Sequence, residues 1–196
     1  MLAQARAALV AVVFFTLLLG VGYPLLVTGL GQLAFPVQAG GSLIRDADGR
    51  VVGSRLIAQA FTGAGYLHPR PSAAGADGYD AAGSSGSNLG PLNPALAERV
   101  AAGAEALRAD GAGAIPADAV TTSGSGLDPH ISPANARRQA ARIAAARGVE
   151  AAQVERLIDG RVIPPALGIL GQPRVNVLEA NLALDAAFGP AQPPPR

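Results

Sequence analysis

The chain has 196 residues, no cysteine, and a formal net charge of +1 from fifteen cationic and fourteen acidic side chains. Every cation is an arginine, which excludes a P-loop lysine and Schiff-base chemistry, and the lack of thiols excludes disulfides, thiolate ligands and a cysteine nucleophile. The charges are spread along the chain with no basic block, so nucleic acid is not an expected partner.

Residues 7–30 carry no charged side chain; Arg6 precedes them and the next charge is Arg45. As a helix rising about 1.5 Å per residue this stretch covers roughly 36 Å, against a hydrocarbon core about 30 Å thick. It has no polar face, and a helix apolar all round belongs in lipid or in a large core, for which the rest of this Ala-rich chain is too small. A cleaved secretory signal is the competing reading, with Arg6 as its charged end and Val37-Gln38-Ala39 as a small-residue cleavage site. The apolar centre of a signal peptide runs only about 7–15 residues, so the continuation through Val21, Leu25 and Val27 favours a retained anchor. Pro24 removes a backbone donor within the span and is expected to disturb it locally. The positive flank, Arg6 with the amino terminus, places residues 1–6 in the cytoplasm and everything beyond the span outside it.

Residues 31–41 read as an irregular linker, because Pro36 and the small residues around it discourage regular structure. A domain of residues 42–188 follows. Its first element is expected to be a hairpin turning at Asp46-Ala47-Asp48-Gly49. Residues 54–61 read as extended or mixed, bringing Leu56, Ile57 and Phe61 to the core. Residues 62–93 form a long stretch rich in Gly, Ser, Pro and Ala, beyond the usual length of a structureless loop; Tyr66, His68, Arg70, Tyr79 and Asn88 suit a contact surface there. Asn93 and Pro94 open a helix with Leu96, Val100 and Leu107 at helical spacing and Gly111 past its end. A connector over residues 112–116 and a short strand at residues 119–123 come next, then a turn-rich segment, residues 123–133.

Ser132 caps a second helix starting at Pro133, with Ala136, Ala140, Ile143 and Ala144 as its apolar stripe. Arg137, Arg138, Arg142 and Arg147 are expected to face solvent or a partner, and Gly148 to end the helix. A third helix fits residues 150–159 with Val154, Leu157 and Ile158 inward. Val175-Asn176-Val177 reads as a strand and residues 178–188 as a last helix. The Pro-rich tail, residues 189–196, is expected to be disordered. The fold class is α+β: a single N-terminal transmembrane helix followed by one small mixed α/β extracytoplasmic domain.

Motifs for catalysis are missing. Neither Gly83-Ser84-Ser85-Gly86-Ser87 nor Gly124-Ser125-Gly126 makes a nucleophile elbow, and the G-x-G triplets at Gly63, Gly111 and Gly124 have no third glycine for a dinucleotide loop. His68 and His130 stand far apart in Pro-flanked turns, too few for a zinc site. Asp128, His130 and a serine would have to meet in space to form a triad, and their spacing gives no sign of it.

Several stretches in order resemble the C subunit of the bacterial Kdp potassium-transporting P-type ATPase. They are the anchor ending in Tyr23-Pro24; Gly53-Ser54-x-Leu56-Ile57-x-Gln59; Tyr66-x-His68-x-Arg70-Pro71-Ser72; Gly86-Ser87-Asn88-x-Gly90-Pro91; Ser123-x-Ser125-Gly126-Leu127-Asp128-Pro129-His130-Ile131-Ser132-Pro133; and Gly171-Gln172-Pro173-x-Val175-Asn176-Val177-Leu178 with Asn181-x-Ala183-Leu184-Asp185. The resemblance implies a non-catalytic accessory subunit of the cell (inner) membrane. Its partners would be a channel-like potassium-translocating A subunit, an ATP-hydrolysing B subunit, a small F subunit and membrane lipid. The expected partner contacts are Tyr66, His68, Arg70, Ser87, Asn88, Asp128 and His130, with no metal and no covalently bound cofactor. The family is described as a catalytic chaperone that promotes ATP binding through the ATPase subunit, by way of a signature-like stretch ending in glutamine. Here that stretch is Val149-Glu150-Ala151-Ala152-Gln153, which lacks the Ser-Gly-Gly of the signature, and the charge rule puts Gln153 on the side away from cytoplasmic ATP. Acidic Asp46, Asp48, Asp77 and Asp80 are read as solvated loop charges. The alternatives are a secreted or anchored binding protein unrelated to transport and an anchored hydrolase.

Overall fold

The computed structural model describes residues 2–46, 48–109 and 113–191, and it divides into two units, Met1–Val52 and Gly53–Arg196. In the first, an unbroken helical rod is formed by α1 (Leu2–Leu17), a five-residue π turn (Leu18–Gly22) and α2 (Tyr23–Ala34). Residues 4–34 are long and apolar enough to cross a membrane, and none of their most apolar window is buried. The π turn answers Pro24. A proline ring presses on the carbonyl four residues back and offers that carbonyl no N–H; widening the preceding turn relieves both, and the Tyr23 N–H bonds back to the Leu18 carbonyl.

The linker is more regular than expected. The helix runs on to Ala34, and α3 (Pro36–Ala39) is a further helical turn after Phe35 leaves helical geometry. Pro36 at a first helical position loses nothing by lacking an N–H, so its presence did not bar a helix. β1 (Leu43–Arg45) and β2 (Val51–Ser54) then form the expected two-stranded sheet. Its turn is tied by Asp46, whose Oδ1 accepts the Asp48 and Arg50 N–H groups at 3.0 and 2.9 Å and whose Oδ2 ion-pairs with Arg50. Ala47 lies outside the described residues.

The second unit centres on a three-stranded antiparallel sheet in the order β3 (His130–Ile131), β5 (Arg174–Asn176), β4 (Val162–Ile163). Val175 of the central strand is opposite Ile131 on one side and Val162 on the other. Around it pack α6 (Pro133–Arg138), α7 (Ala140–Arg147), α8 (Ala151–Asp159) and α9 (Val177–Phe188). Leu67, Ile131, Ala136, Ala140, Ile143, Val154, Ile158, Val175 and Leu184 make the core between them. The apolar stripes read from the second and third helices are therefore the buried ones, except that Leu157 is only partly buried.

Local chemistry sets the boundaries. Ser132 Oγ accepts the Asn135 N–H, Asn176 Oδ1 accepts the Glu179 N–H, and Glu150 with Gln153 forms a reciprocal capping box at α8. Gly148, at φ +67°, closes α7. The second helix is not continuous; it breaks at Gln139, whose side chain is engaged elsewhere. α4 (Pro94–Ala109) begins as expected with Asn93 Oδ1 accepting the Ala95 N–H. Leu96, Val100 and Leu107 are only half-buried, and Gly111 lies outside the described residues.

Two expectations fail. Residues 55–61 form neither strand nor helix, and Leu56 is 59% exposed, so only Phe61 of the three expected side chains packs against the core. The strand expected at residues 119–123 is the short helix α5 (Ala117–Val120), because Asp118 turns its carboxylate to the start of α6: its oxygens accept the Ser132 N–H and Oγ–H, both at 2.8 Å, and the Asn135 Nδ2–H. β3 and β4, two residues each, left no pattern in the sequence to be read. Gly189, Pro190 and Ala191 of the expected tail are described; residues 192–196 are not.

Candidate functional site

Residues 55–93 contain no helix or strand, yet this segment is not a free loop. Leu67 is fully buried, and the backbone on either side of it is held by side-chain amides acting in place of a neighbouring strand. Asn181 of α9 accepts the Leu67 N–H at 2.7 Å and donates to the Leu67 carbonyl at 3.0 Å. Gln139, at the α6–α7 break, does the same for His68, accepting its N–H at 2.8 Å and donating to its carbonyl at 3.1 Å. Both amides are buried, and buried polar groups of this kind persist only when their bonds are made.

Arginines of α7 complete the fastening. Arg142 donates to the Ala64 and Tyr66 carbonyls and to Gln139. Arg147, with a side chain only 1% exposed, ion-pairs with Asp185 at 2.8 Å, donates to the Gly65 and Leu184 carbonyls and lies over the Tyr66 ring, whose hydroxyl also bonds Asp185. Arg137 pairs with Asp159. The expectation that these arginines face solvent or a partner is therefore corrected for Arg142 and Arg147, which turn to the loop backbone because it offers acceptors that no sheet satisfies; Arg137 stays exposed in its surface pair, as expected.

A second group of ties laces this segment to residues 121–130. Arg70 donates to the Thr121 and Thr122 carbonyls and to Asp128 Oδ2 at 3.1 Å. Asp128 Oδ1 accepts the His130 N–H at 3.0 Å and faces the His130 ring nitrogen at 3.3 Å. Ser72 Oγ donates to the Gly126 carbonyl and accepts the Ala74 and Tyr79 N–H groups, while the Tyr79 hydroxyl closes on the Arg70 carbonyl. Half-burial works against charge on Asp128, but hydrogen bonds from the His130 side chain and backbone, with the charges of His130 and Arg70, outweigh it and hold its carboxyl below the usual range. Burial pushes the Tyr79 phenol up.

Of the expected contact residues, Arg70, Asp128 and His130 thus form one network. Tyr66 and His68 belong to the fastening against α7 and α9. Ser87 accepts from Arg99, and Asn88 stands exposed at φ +52°. Among the described residues no serine hydroxyl bonds His130, and no group of three His, Asp or Glu side chains gathers to hold a metal. The side-chain oxygen of Gln153 accepts the Glu150 N–H at 3.3 Å. The polar hollow between α4, α5, α6 and α7, lined by His68, Asn135, Arg138 and Arg142, measures about 60 Å³. Ligand pockets run to about 300–1,000 Å³, so a nucleotide does not fit it. Sequence reasoning missed Gln139, Asn181 and Asp118. Gln139 and Asn181 each interrupt an apolar helical stripe, which was the available signal.

A family model described as K+-transporting ATPase, c chain, matches residues 5–186, from the first turn of the helical rod nearly to the end of α9. The chain belongs to this family. Curated relatives include the "Potassium-transporting ATPase KdpC subunit" of Caulobacter sp. (strain K31), 64% identical over 189 residues, covering 96% of both chains. The protein of the same name from Beijerinckia indica is 59% identical and covers 100% of this chain and 99% of its own. That from Myxococcus xanthus is 62% identical over 176 residues, 88% of this chain and 83% of its own. The resemblance read from the six stretches is thereby confirmed. In this member of the c-chain family, those stretches supply the ties of Tyr66, Arg70, Ser72, Asp128, Asn176, Asn181 and Asp185.

Proposed function

We propose that this protein is an accessory, non-catalytic subunit of an ATP-driven potassium-uptake complex. The observation that carries the reading is the family match over residues 5–186 on a chain with one span-length apolar helix. The amino-terminal end lies in the cytoplasm and residues 42–188 outside it, as the flanking charge of Arg6 indicates. Its partners are the channel-like A subunit, the ATP-hydrolysing B subunit and the small F subunit.

The laced segments 62–93 and 123–133 are the surface offered to the A subunit, over its outer ion entrance. Support comes from their rigidity: Arg70, Ser72 and Asp128 fix two long irregular segments against each other, which lowers the entropy lost on docking. Any help to ATP binding passes through the assembly as a coupling free energy between distant sites, of the usual size of about 1–3 kcal/mol. Gln153 then acts as a helix cap rather than a nucleotide ligand.

Deleting the gene should abolish growth at limiting potassium, with growth restored by the full chain and the other three subunits co-purifying through it. Unimpaired potassium uptake without the protein would overturn the reading. A reporter fused after Asp185 should be active only in its extracytoplasmic form; a cytoplasmic signal would move Gln153 back beside ATP and remove the outer-entrance role.

A further inference from the structure

Between Arg161 and Arg174 the chain runs Val-Ile-Pro-Pro-Ala-Leu-Gly-Ile-Leu-Gly-Gln-Pro, without a charged side chain. β4 and β5 enclose this segment, and its tip is bare: Leu167 is 89% exposed, Ile169 81% and Leu170 58%. Single exposed leucines are ordinary on a protein surface. Three large aliphatic side chains within four positions at the end of a hairpin are a patch, and such patches mark contact sites.

The turn sharpens the point. Leu167 has φ +54° and Gly168 φ +78°, and the Ile169 N–H closes on the Ala166 carbonyl at 3.2 Å. Two successive positive φ angles at a hairpin tip are normally supplied by Asn-Gly or Asp-Gly. Gly168 meets the demand at no steric cost, whereas Leu167 sets its Cβ against its own carbonyl. Asparagine would make the same turn with less strain. Strain held at an exposed tip points to a use for the side chain that causes it.

We propose that this tip is a second membrane contact: Leu167, Ile169 and Leu170 enter the boundary between headgroups and acyl chains, and Arg161 and Arg174 meet lipid phosphates. It rests on the reading that the amino-terminal helix is embedded in the bilayer. Three observations favour lipid over a groove on another subunit. The backbone is nearly self-sufficient, as a segment entering lipid must be. Pro164 and Pro165 have no N–H, and the N–H groups of Ala166, Gly168, Ile169 and Leu170 all bond within the hairpin. Cations stand at both ends of the apolar run, the arrangement of interfacial segments on anionic membranes, and neither guanidinium has an ion-pair partner among the described residues. The covalent link to an embedded helix also keeps the tip at high effective concentration near the bilayer.

Because the chain has no cysteine, Ile169→Cys creates a unique labelling site, and Phe15→Cys provides a control on the rod. Each full-length variant, carrying an environment-sensitive fluorophore, is reconstituted into phosphatidylcholine vesicles with and without phosphatidylglycerol. Both labels should be quenched by nitroxide-bearing lipid and shielded from aqueous iodide, the tip more strongly with phosphatidylglycerol. Adding Leu167→Asn should return the tip label to iodide while leaving the urea midpoint unchanged or raised. A tip label open to iodide beside a lipid-quenched rod label overturns the inference alone. So does a tip label that, in the assembled pump, is shielded from iodide and lipid alike, since a protein groove then covers it. An iodide-accessible rod label overturns the anchor and this inference with it.

Discussion

Asn181 and Gln139 show how much a single amide can hold. Each satisfies both the N–H and the carbonyl of one loop residue, 114 and 71 positions away in the chain. Asn181→Leu should leave the Leu67 N–H and carbonyl buried and unpaired, costing about 2–4 kcal/mol. Urea unfolding of the detergent-solubilised chain, followed by circular dichroism, would read this as a lower midpoint; an unchanged midpoint would mean Leu67 finds other partners. Asp128 gives a pH signature at the same scale. Its carboxyl is held below the usual range in the folded state, so its contribution is complete above about pH 4, the ordinary aspartate value, and is lost as pH falls through the lowered folded value. Asp128→Asn should therefore flatten the acid limb of the stability profile below pH 4 relative to the parent chain.

At the scale of the element, caps and breakers behaved as local chemistry requires. Asn93, Ser132, Glu150, Asn176 and Gly148 mark helix ends at or next to the positions where the sequence placed them. β3 and β4 did not announce themselves, because two residues are too few for an alternation to show. Gly126 is a point where one backbone position governs the packing of two segments. It sits at φ +67°, and an added Cβ would collide with the Ser85 carbonyl and the Ala74 backbone. Gly126→Ala should cost about 2 kcal/mol or more, combining left-handed strain with that collision. Limited proteolysis should then cut within residues 72–86 before any other site in Gly53–Arg196; parental protection there would show that the two segments do not depend on close approach.

For the whole molecule, the determining property is an amino-terminal rod with apolar side chains exposed on every side. Replacing Val13 and Leu18 by arginine should remove about 5–7 kcal/mol of insertion free energy at roughly 2.5–3.5 kcal/mol each. The protein should then leave the membrane fraction under alkaline carbonate washing; retention in the pellet would mean that other contacts hold it there. The two units differ in what makes them stable. The rod needs only its own hydrogen bonds and an apolar solvent, whereas Gly53–Arg196 depends on polar side chains reaching across long sequence distances.

The same contrast divides the features legible along the chain from those that arise only when its distant parts meet. The span-length apolar helix, the capped helices, their apolar stripes and the family could be read directly, because each is written in neighbouring residues or in periodicity. The roles of the arginines and amides could not. Arg147 and Arg142 look solvated on a helical wheel, and residues 62–93 look like a free surface, until α7 and α9 meet an irregular segment whose N–H and carbonyl groups have no strand beside them. Only the assembled core brings those groups into reach, and the requirement that buried backbone be hydrogen-bonded then turns the arginines and amides inward.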